Sequence, residues 1–249
     1  GLAEADPSLD VDGIDSAHKL AILVALAFGA ACPLGNVHVE GIRGITQTDV
    51  AYARELGYVI KLLAIARDHA GAIEARVEPT MVPRGHLLAD VRDAQNAIRV
   101  HGEALGSTML VGPGAGGAPT ATSVVADLVE IARARLHGER VAGPPLGFPS
   151  RELRRARSKP IGETTGEHYL RFLVLDRPGV LARIAGILGR HGISIASVIQ
   201  KDRGGRGSVP IVLRTHEGRE RNLRRAMSEI GRTKVVRGRP LAIRIEDKL

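Results

Sequence analysis

Two carboxylates and a lysine near the start of the chain have types and spacing suited to a small zwitterion. Glu4 lies in an irregular acidic segment, and Asp15 and Lys19 open an Ala- and Leu-rich segment that predicts a helix to about Gly29. Side chains four residues apart share one helix face, so the carboxylates could bind an ammonium group while the lysine donates a proton to an oxygen. An ordinary exposed Asp–Lys pair, worth about 0.3–0.5 kcal/mol, is the stronger explanation on spacing alone.

The glycine-rich run 111–117 is a second candidate site because it leads into a predicted helix from Thr120 to about Leu136. Its backbone amides could approach a phosphate or a ring, and a helix N-terminus favours an anion. The run lacks the spacing and the preceding first strand of a dinucleotide fingerprint, and it has no Walker lysine. A tight turn between a strand and a helix explains the glycines equally well.

The turn at 176–180, Asp-Arg-Pro-Gly-Val, is a third candidate because it joins a predicted strand to a predicted helix. Pro178 presets the start of the helix, and Gly179 leaves room for a ligand near the backbone. Backbone amides at such a helix start could hold a carboxylate. A turn followed by a packed helix, without any ligand, is the alternative.

The elements that position these residues fall into two groups. In the first, a continuous apolar run at 58–68 predicts a buried strand, and 72–81, which alternates, predicts its hairpin partner. The other predicted elements of this group are a helix from Asp15 or Ser16 to Gly29, a strand and turn at 37–45, a helix at 48–56, and short segments at 87–91, 97–102 and 107–111.

The second group, residues 168–249, has the order strand, helix, strand, strand, helix, strand, which is that of a ferredoxin-like sandwich. A Pro- and Gly-rich stretch without an apolar period, 141–167, separates it from residues 1–140 and is predicted to be a linker. We therefore predict an α+β protein, with a mixed sheet and flanking helices followed by a ferredoxin-like βαββαβ domain. The elements predicted for that domain are 169–175, 178–191, 193–201, 208–215, 217–230 and 234–245.

The charge is uneven, with a net −5 over residues 1–150 and +13 over residues 151–249. The basic residues at 219–239 make nucleic-acid binding an alternative function. A solvated basic face explains them better, because RNA-binding sheets of this topology carry surface aromatics, whereas Tyr169 and Phe172 have opposite parity along their strand. We therefore predict no nucleic-acid partner.

Composition bears on further classes of protein. The single cysteine, Cys32, rules out an internal disulfide framework and indicates a reducing compartment, which we take as the cytoplasm. The longest apolar stretch, 20–33, is too short and too rich in Ala and Gly to span a membrane easily. We therefore predict no membrane partner. The histidines and Cys32 show no metal-binding spacing, so we also predict no metal.

The front segment resembles the substrate-binding segment of homoserine dehydrogenase over residues 1–145. The resemblance begins with Glu-Ala-Asp-Pro at 4–7 and Asp-Val-Asp-Gly-Ile-Asp-x-x-x-Lys at 10–19. The pieces that follow in order are Gly41-Ile42, Ile45-Thr46, Glu-Leu-Gly-Tyr-Val-Ile-Lys-Leu-Leu at 55–63 and Gly-Glu-Ala-Leu-Gly at 102–106. This family interconverts aspartate 4-semialdehyde and homoserine with NADP or NAD, in the biosynthesis of threonine, methionine and isoleucine.

The resemblance implies a role for each candidate residue. Glu4 and Asp15 would bind the amino group of the substrate, and Lys19 would donate a proton to the carbonyl oxygen as hydride arrives. The family also uses a lysine from its nucleotide-binding part. The glycine-rich run would return the chain to that part and line the cofactor near the nicotinamide. The cofactor-adjacent residues would be Gly112, Gly114 and Gly116.

The last domain resembles an ACT domain, a small amino-acid-sensing module, in the two segments 175–185 and 192–200. Such modules usually pair, with ligand between the copies, so the resemblance implies a homo-oligomer. Threonine is the implied effector. The residues that would contact it are Asp176, Pro178, Gly179, Val180, Ile193 and Ser194.

The nucleotide-binding front of the family has no counterpart here, because the matching residues begin at Gly1. We therefore expect NADP or NAD to be held mostly by a part outside this chain, and the chain alone to lack tight cofactor binding. The alternative is a non-catalytic module that contains an ACT domain and only binds amino acids or mediates assembly.

Overall fold

Helices and strands are interspersed along the chain. The computed structural model describes residues 6–138, 150–201 and 208–249. The helices are α1 (Ser8–Val11), α2 (Ile14–Phe28), α3 (Gln47–Glu55), α4 (Gly117–Leu136), α5 (Val180–Arg190) and α6 (Glu220–Gly231), with short 3-10 helices at Leu34–Asn36, Leu87–Asp90, Ser150–Glu152 and Ile161–Glu163. The strands are β1 (Ala30–Ala31), β2 (His38–Val39), β3 (Tyr58–His69), β4 (Ala72–Pro83), β5 (Gln95–Gly102), β6 (Gly106–Pro113), β7 (Arg154–Arg155), β8 (Arg157–Ser158), β9 (Thr165–Leu175), β10 (Ile195–Ile199), β11 (Ser208–Thr215), β12 (Gly218–Arg219) and β13 (Val236–Ile245).

A long antiparallel hairpin of β3 and β4 organises the front half. The strands pair over their whole length across a turn at Ala70 and Gly71, both of which have positive φ. The predicted hairpin is therefore confirmed, but the prediction that its first strand is the buried one is wrong. The strand β4 is buried at ten of its twelve positions, whereas β3 is mostly half-buried. The reason is that β4 also pairs with β13, β2 and β8.

The predicted βαββαβ order of the last domain is confirmed as β9-α5-β10-β11-α6-β13. The strands lie side by side as β10-β11-β9-β13, all antiparallel. One face of this sheet buries Leu170, Phe172 and Val174 with α5 and α6. Tyr169 lies on the opposite face, as its parity predicted, and both aromatic rings are fully buried.

The two halves share one sheet, which the separate domains of the sequence analysis did not predict. The strand β13 pairs in parallel with β4 through Arg244↔Thr80 and Ile245↔Met81. The helix α3 covers the face of the last domain's sheet that α5 and α6 leave free. The resulting core combines both halves and contains Tyr52, Ala53, Tyr58, Met81, Tyr169, Val212, Ile243 and Ile245.

Two short strands in the described part of the predicted linker pair with the front half. The strand β7 runs parallel to β1, and β8 runs parallel to β4. The first strand of the last domain begins at Thr165, four residues before the predicted start. The boundaries of the predicted domains stay a prediction, since the sheet runs on through this region.

Glycines move the ends of two predicted helices. The helix expected from Asp15 or Ser16 begins at Ile14, directly after Gly13 in the left-handed region with φ +79°. The helix expected from Pro178 begins at Val180, after Gly179 with φ +85°. The expected helix at 48–56 is confirmed as α3, and the strand expected at 37–45 is paired only over β2.

A buried ionic network joins β4 to the last domain. The fully buried Arg76 donates to Glu74 at 2.9 Å and to Glu78 at 2.5 Å. It also donates to Glu246, which follows β13. A buried charge is tolerated only when it is paired and hydrogen-bonded, and here three carboxylates surround one guanidinium.

Arg244 continues the network towards α6. It donates to Glu78 at 2.8 Å and to Glu220 at 2.6 Å. Nε2 of His168 lies 3.0 Å from the same Glu220 oxygen. Burial alone would raise the pKa of Glu220, but the hydrogen bond from His168 and the charges of His168 and Arg244 outweigh it and lower the pKa to about 2.

We expect the effect of Glu220→Gln on the free energy of unfolding to depend on pH. A carboxylate whose pKa is lowered by folding stabilises the fold above its unfolded pKa and loses that contribution as the pH falls towards the folded pKa. The unmodified chain should be more stable than the variant by on the order of 3 kcal/mol near neutral pH, a difference that shrinks as the pH falls from about 4.5 towards about 2.

Urea unfolding at several pH values measures this difference. Glu103→Gln, at an exposed position in the turn between β5 and β6, is the matched control and should change stability little at any pH. A Glu220→Gln difference that stays constant from neutral pH to about pH 3 contradicts the prediction.

Candidate functional site

Asp15 and Lys19 lie together on the exposed face of α2, one turn apart. The Nζ of Lys19 is 2.6 Å from Oδ2 of Asp15, and the two side chains are 57% and 40% exposed. The opposite face of α2 packs on β4. Asp15 lies in the first turn, where the helix dipole favours its charge. Glu4 lies outside the described residues, so its place beside this pair stays a prediction.

The start of α2 is held by the segment that leads to α3. A Cβ on Gly41 would lie 2.4 Å from the carbonyl oxygen of Val11, so no other residue fits there without movement. The amide of Ile42 donates to that same oxygen at 2.9 Å. Arg43 donates to both carboxylate oxygens of Asp12, at 2.5 Å and 3.0 Å. This clamp fixes the turn from which α2 departs.

The sequence alone does not predict this clamp, although Gly41 lies in one of the segments that carry the resemblance. Arg43 and Asp12 are 31 residues apart in the sequence. At that separation, no helical or strand periodicity predicts a contact. A Gly-x-Arg following a short strand was the only local signal.

The Asp15–Lys19 pair offers an anion and a cation to a ligand from solvent. An ammonium group that binds Asp15 competes with Lys19 for the carboxylate and frees the lysine to donate to an oxygen of the same ligand. A lysine ammonium has three donors, so it suits a carbonyl oxygen on which negative charge develops. The arrangement supports binding and protonation of a carbonyl compound that carries an amino group.

The three glycines of the second candidate lie at the junction of β6 and α4. Gly114 has a structural role at this junction. Its amide donates to the carbonyl oxygen of Ala94, and a Cβ there would meet the side chain of Asn96 at 2.3 Å. Gly116 has φ +131° and precedes the first turn of α4. Gly112 has open space where a Cβ would stand. The open backbone at Gly112 and the helix start at Gly116 fit the edge of a nucleotide ring or phosphate.

The helix α4 and the β5–β6 hairpin present an exposed apolar surface. Of the helix's twenty residues, only Ala134 is buried. Large exposed apolar patches mark surfaces that interact with a protein, a membrane or a ligand. The exposed apolar residues of this surface are Ile98, Val100, Leu105, Leu110, Val111, Val124, Val125, Leu128, Val129, Ile131 and Leu136.

The predicted turn at 176–180 lines a cavity of about 220 Å³ at the end of β9. Gln200, directly after β10, completes the lining with apolar residues. The left-handed φ of Gly179 requires a glycine, and a Cβ there would meet no atom within 4 Å. The cavity therefore has the backbone amides of a helix start at its edge, which suits a small carboxylate.

The two other residues of the predicted sensor site lie elsewhere in the domain. The side chain of Ile193 is buried in the core under α5 and α6. Ser194 is exposed, and its backbone carbonyl accepts from His216 at 2.9 Å. Among the residues that the structure describes, neither lines the cavity. Their contact with a ligand, which the resemblance implies across two copies, stays a prediction.

Among residues 6–138, 150–201 and 208–249, no group of three or more His, Cys, Asp or Glu side chains is arranged to hold a metal ion. No helix among these residues is long and apolar enough to cross a membrane.

Sequence families match both halves of the chain. A family model described as homoserine dehydrogenase matches residues 1–129. A second, described as ACT domain, matches residues 168–234.

Named relatives agree with these matches. The chain is 43% identical over 247 residues to the homoserine dehydrogenase of Pseudomonas aeruginosa, covering 99% of this chain and 57% of that protein. It is 40% identical to that of Neisseria gonorrhoeae, covering 92% of this chain and 53% of that protein. The chain thus spans little more than half the length of the relatives that it matches.

Solved structures with the same fold bear related names. A homoserine dehydrogenase from Thiobacillus denitrificans is 44% identical, with a TM-score of 0.87 over 98% of this chain and 56% of that one. A homoserine dehydrogenase from S. aureus is 29% identical, with a TM-score of 0.66 over 98% of this chain and 56% of that one.

Proposed function

This chain belongs to the homoserine dehydrogenase family, and on that premise we propose that it forms the substrate-binding and proton-transfer part of an NADP- or NAD-dependent oxidoreductase. The proposed reaction interconverts aspartate 4-semialdehyde and homoserine. The observation that carries it is the Lys19–Asp15 pair at 2.6 Å, on the open face of a helix within the segment that the family model matches.

In the proposed reaction, Asp15 and Glu4 hold the substrate's ammonium group. Hydride for the carbonyl carbon would come from a reduced nicotinamide when that cofactor is bound. Lys19 donates its Nζ proton to the carbonyl oxygen, so that the aldehyde becomes an alcohol and the lysine becomes a neutral amine. The side chain of Lys19 is 57% exposed, so water can return that proton. In the reverse direction, the neutral lysine takes the hydroxyl proton.

The apolar surface on α4 and the β5–β6 hairpin indicates, within this proposal, where the cofactor would lie. In the family, the segment with Gly112, Gly114 and Gly116 returns to the nucleotide-binding part. We propose that this surface packs on that part, which brings the open backbone at Gly112 beside the cofactor.

The last domain is proposed to sense an amino acid in the cavity at 176–180. A cavity of about 220 Å³ with helix-start amides at its edge suits a small amino acid, and threonine is the proposed effector. Pairing of this domain between copies would make the protein a homo-oligomer. A place in the cytoplasm, in the biosynthesis of threonine, methionine and isoleucine, belongs to the same proposal.

A chimera tests the proposed reaction. This chain would replace the matching 57% of the homoserine dehydrogenase of Pseudomonas aeruginosa, and homoserine oxidation would be followed by the absorbance of the reduced nicotinamide, with NADP and NAD in parallel. We expect turnover that threonine inhibits. The intact Pseudomonas aeruginosa protein is the positive control. A folded chimera without turnover would favour the alternative, a module that binds amino acids without catalysis.

A further inference from the structure

We propose that Asp49 is a positioning residue through which the sheet of the last domain holds the substrate helix α2 in place. This inference rests on the proposed function, which identifies α2 as the helix that binds the substrate. It names Asp49 as the residue that links the sensor domain to α2. The link consists of α3, which is fastened to the last domain at both ends and joined to α2 by a short segment, residues 41–45.

The carboxylate of Asp49 is the first fastening. Asp49 is fully buried in the first turn of α3. Its oxygens accept from the backbone amide of Thr46 at 2.8 Å and from the hydroxyl of Thr46 at 2.6 Å. The backbone amide of Asp49 donates to the Thr46 hydroxyl oxygen at 3.4 Å, which completes a capping box. The same carboxylate accepts from the hydroxyl of Tyr169 at 3.0 Å and from two nitrogens of Arg171, at 2.5 Å and 3.1 Å. Five donors therefore converge on one carboxylate.

These donors come from two different parts of the chain. Thr46 belongs to α3's own N-terminus, so it caps the helix. Tyr169 and Arg171 belong to β9, some 120 residues further along. Capping of α3 needs only Thr46, whereas the bidentate Arg171 fixes the helix to the sheet in one orientation.

The second fastening is at the other end of α3. Nζ of Lys201 lies 2.5 Å from Oε2 of Glu55, the last residue of the helix. The same ammonium lies 5.0 Å from the ring centroid of Tyr52. The helix is thus held at both ends by residues of the last domain.

Both fastenings lead to the sensor cavity. Arg171 is on β9, whose final residue Leu175 lines the cavity together with Asp176. Lys201 directly follows Gln200, which also lines it. A ligand that shifts the end of β9 and the residues directly after β10 would therefore act on both fastenings of α3.

On its other side, α3 is joined to α2 through residues 41–45. Ile45 donates to Ile42 at 3.0 Å, which makes this connection a tight turn. Gly41 packs against the backbone of Val11, where there is no room for a Cβ, and Arg43 forms a salt bridge with Asp12. A movement of α3's first turn is thus passed to the residues directly before α2, which carries Asp15 and Lys19.

Hydrogen exchange of this chain tests the link without any need for catalysis. Asp49→Asn removes the charge, and Arg171→Met leaves the capping box intact while removing two of the three hydrogen bonds between Asp49 and β9. We expect both variants to speed exchange in residues 41–46 and in the first turn of α2, by about tenfold, with α5 and α6 unchanged. Arg84→Met, at an exposed position, is the matched control. Faster exchange that stays within α3, or that is uniform along the chain, overturns the inference.

The same variants in the chimera give the functional readout. Misplacement of α2 raises the KM for homoserine, by about tenfold, whereas partial unfolding lowers only the amount of active enzyme and leaves the KM unchanged. An unchanged KM in both variants overturns the inference. If the unmodified chimera has no turnover, the proposed function fails, and the exchange result alone decides the role of Asp49.

Discussion

Lys19→Ala is expected to lower the kcat of the chimera by a factor of about 10²–10⁴, the usual contribution of a positioned proton donor. The fold should survive, because the pair with Asp15 is exposed and such pairs contribute little to stability. Turnover with homoserine and each nicotinamide measures kcat, and a thermal melt of the same sample checks the fold.

Two further lysine variants separate proton transfer from charge. Lys19→Arg keeps the positive charge beside Asp15, but a guanidinium holds its proton too firmly to donate it. We therefore expect this variant to keep the KM better than the kcat. Lys234→Ala, at an exposed position in the last domain, is the control and should behave like the unmodified chimera. Near-normal turnover of Lys19→Ala would remove Lys19 from the reaction.

Asp15 is assigned a different part of the same reaction, namely binding of the ammonium group. The residues that could be predicted for this site were those linked by local geometry. A spacing of four residues predicted that Asp15 and Lys19 share a helix face, and they lie 2.6 Å apart. The clamp of Gly41 and Arg43 could not be predicted in this way, because close approach of two backbones far apart in sequence leaves no periodic signal.

The order of elements in the last domain was predictable for the same reason. Each of its strands and helices carries its own period, and glycines or prolines stand at the ends. The helix starts differed by one or two residues where a left-handed glycine, Gly13 or Gly179, set the first turn. Local chemistry thus identified the elements, and errors were confined to their ends.

Burial was the part that local patterns could not predict. Along β4, Glu74, Arg76 and Glu78 alternate with apolar residues, a pattern that normally means one face in the core and one in solvent. In the structure both faces are buried, because Arg244 of β13 and Glu246 directly after it contact the charged one. Arg76 and Glu246 are 170 residues apart, so only the pairing of β13 with β4 reveals the contact.

Arg76→Met is expected to lower the free energy of unfolding by about 3–5 kcal/mol, the usual cost of removing one partner of a buried ion pair. The variant leaves Glu74, Glu78 and Glu246 close together without the guanidinium that all three contact. A loss of that size lowers the Tm of a chain of this length by roughly 10 °C. Urea unfolding and thermal melts measure it, and Arg84→Met, with its exposed side chain, is the control.

A double-mutant cycle with Glu246→Gln decides whether Arg76 acts within the front half or between the halves. Glu74 and Glu78 lie on the same strand as Arg76, whereas Glu246 follows β13. If Arg76 joins the halves, Glu246→Gln should cost less in the Arg76→Met background, because it then neutralises a buried carboxylate that has lost its partner. The coupling should exceed about 1 kcal/mol, as for other residues in one ionic network. Additive effects would instead mean that the parallel pairing of β13 with β4, and the apolar core beneath it, hold the halves together without this charge.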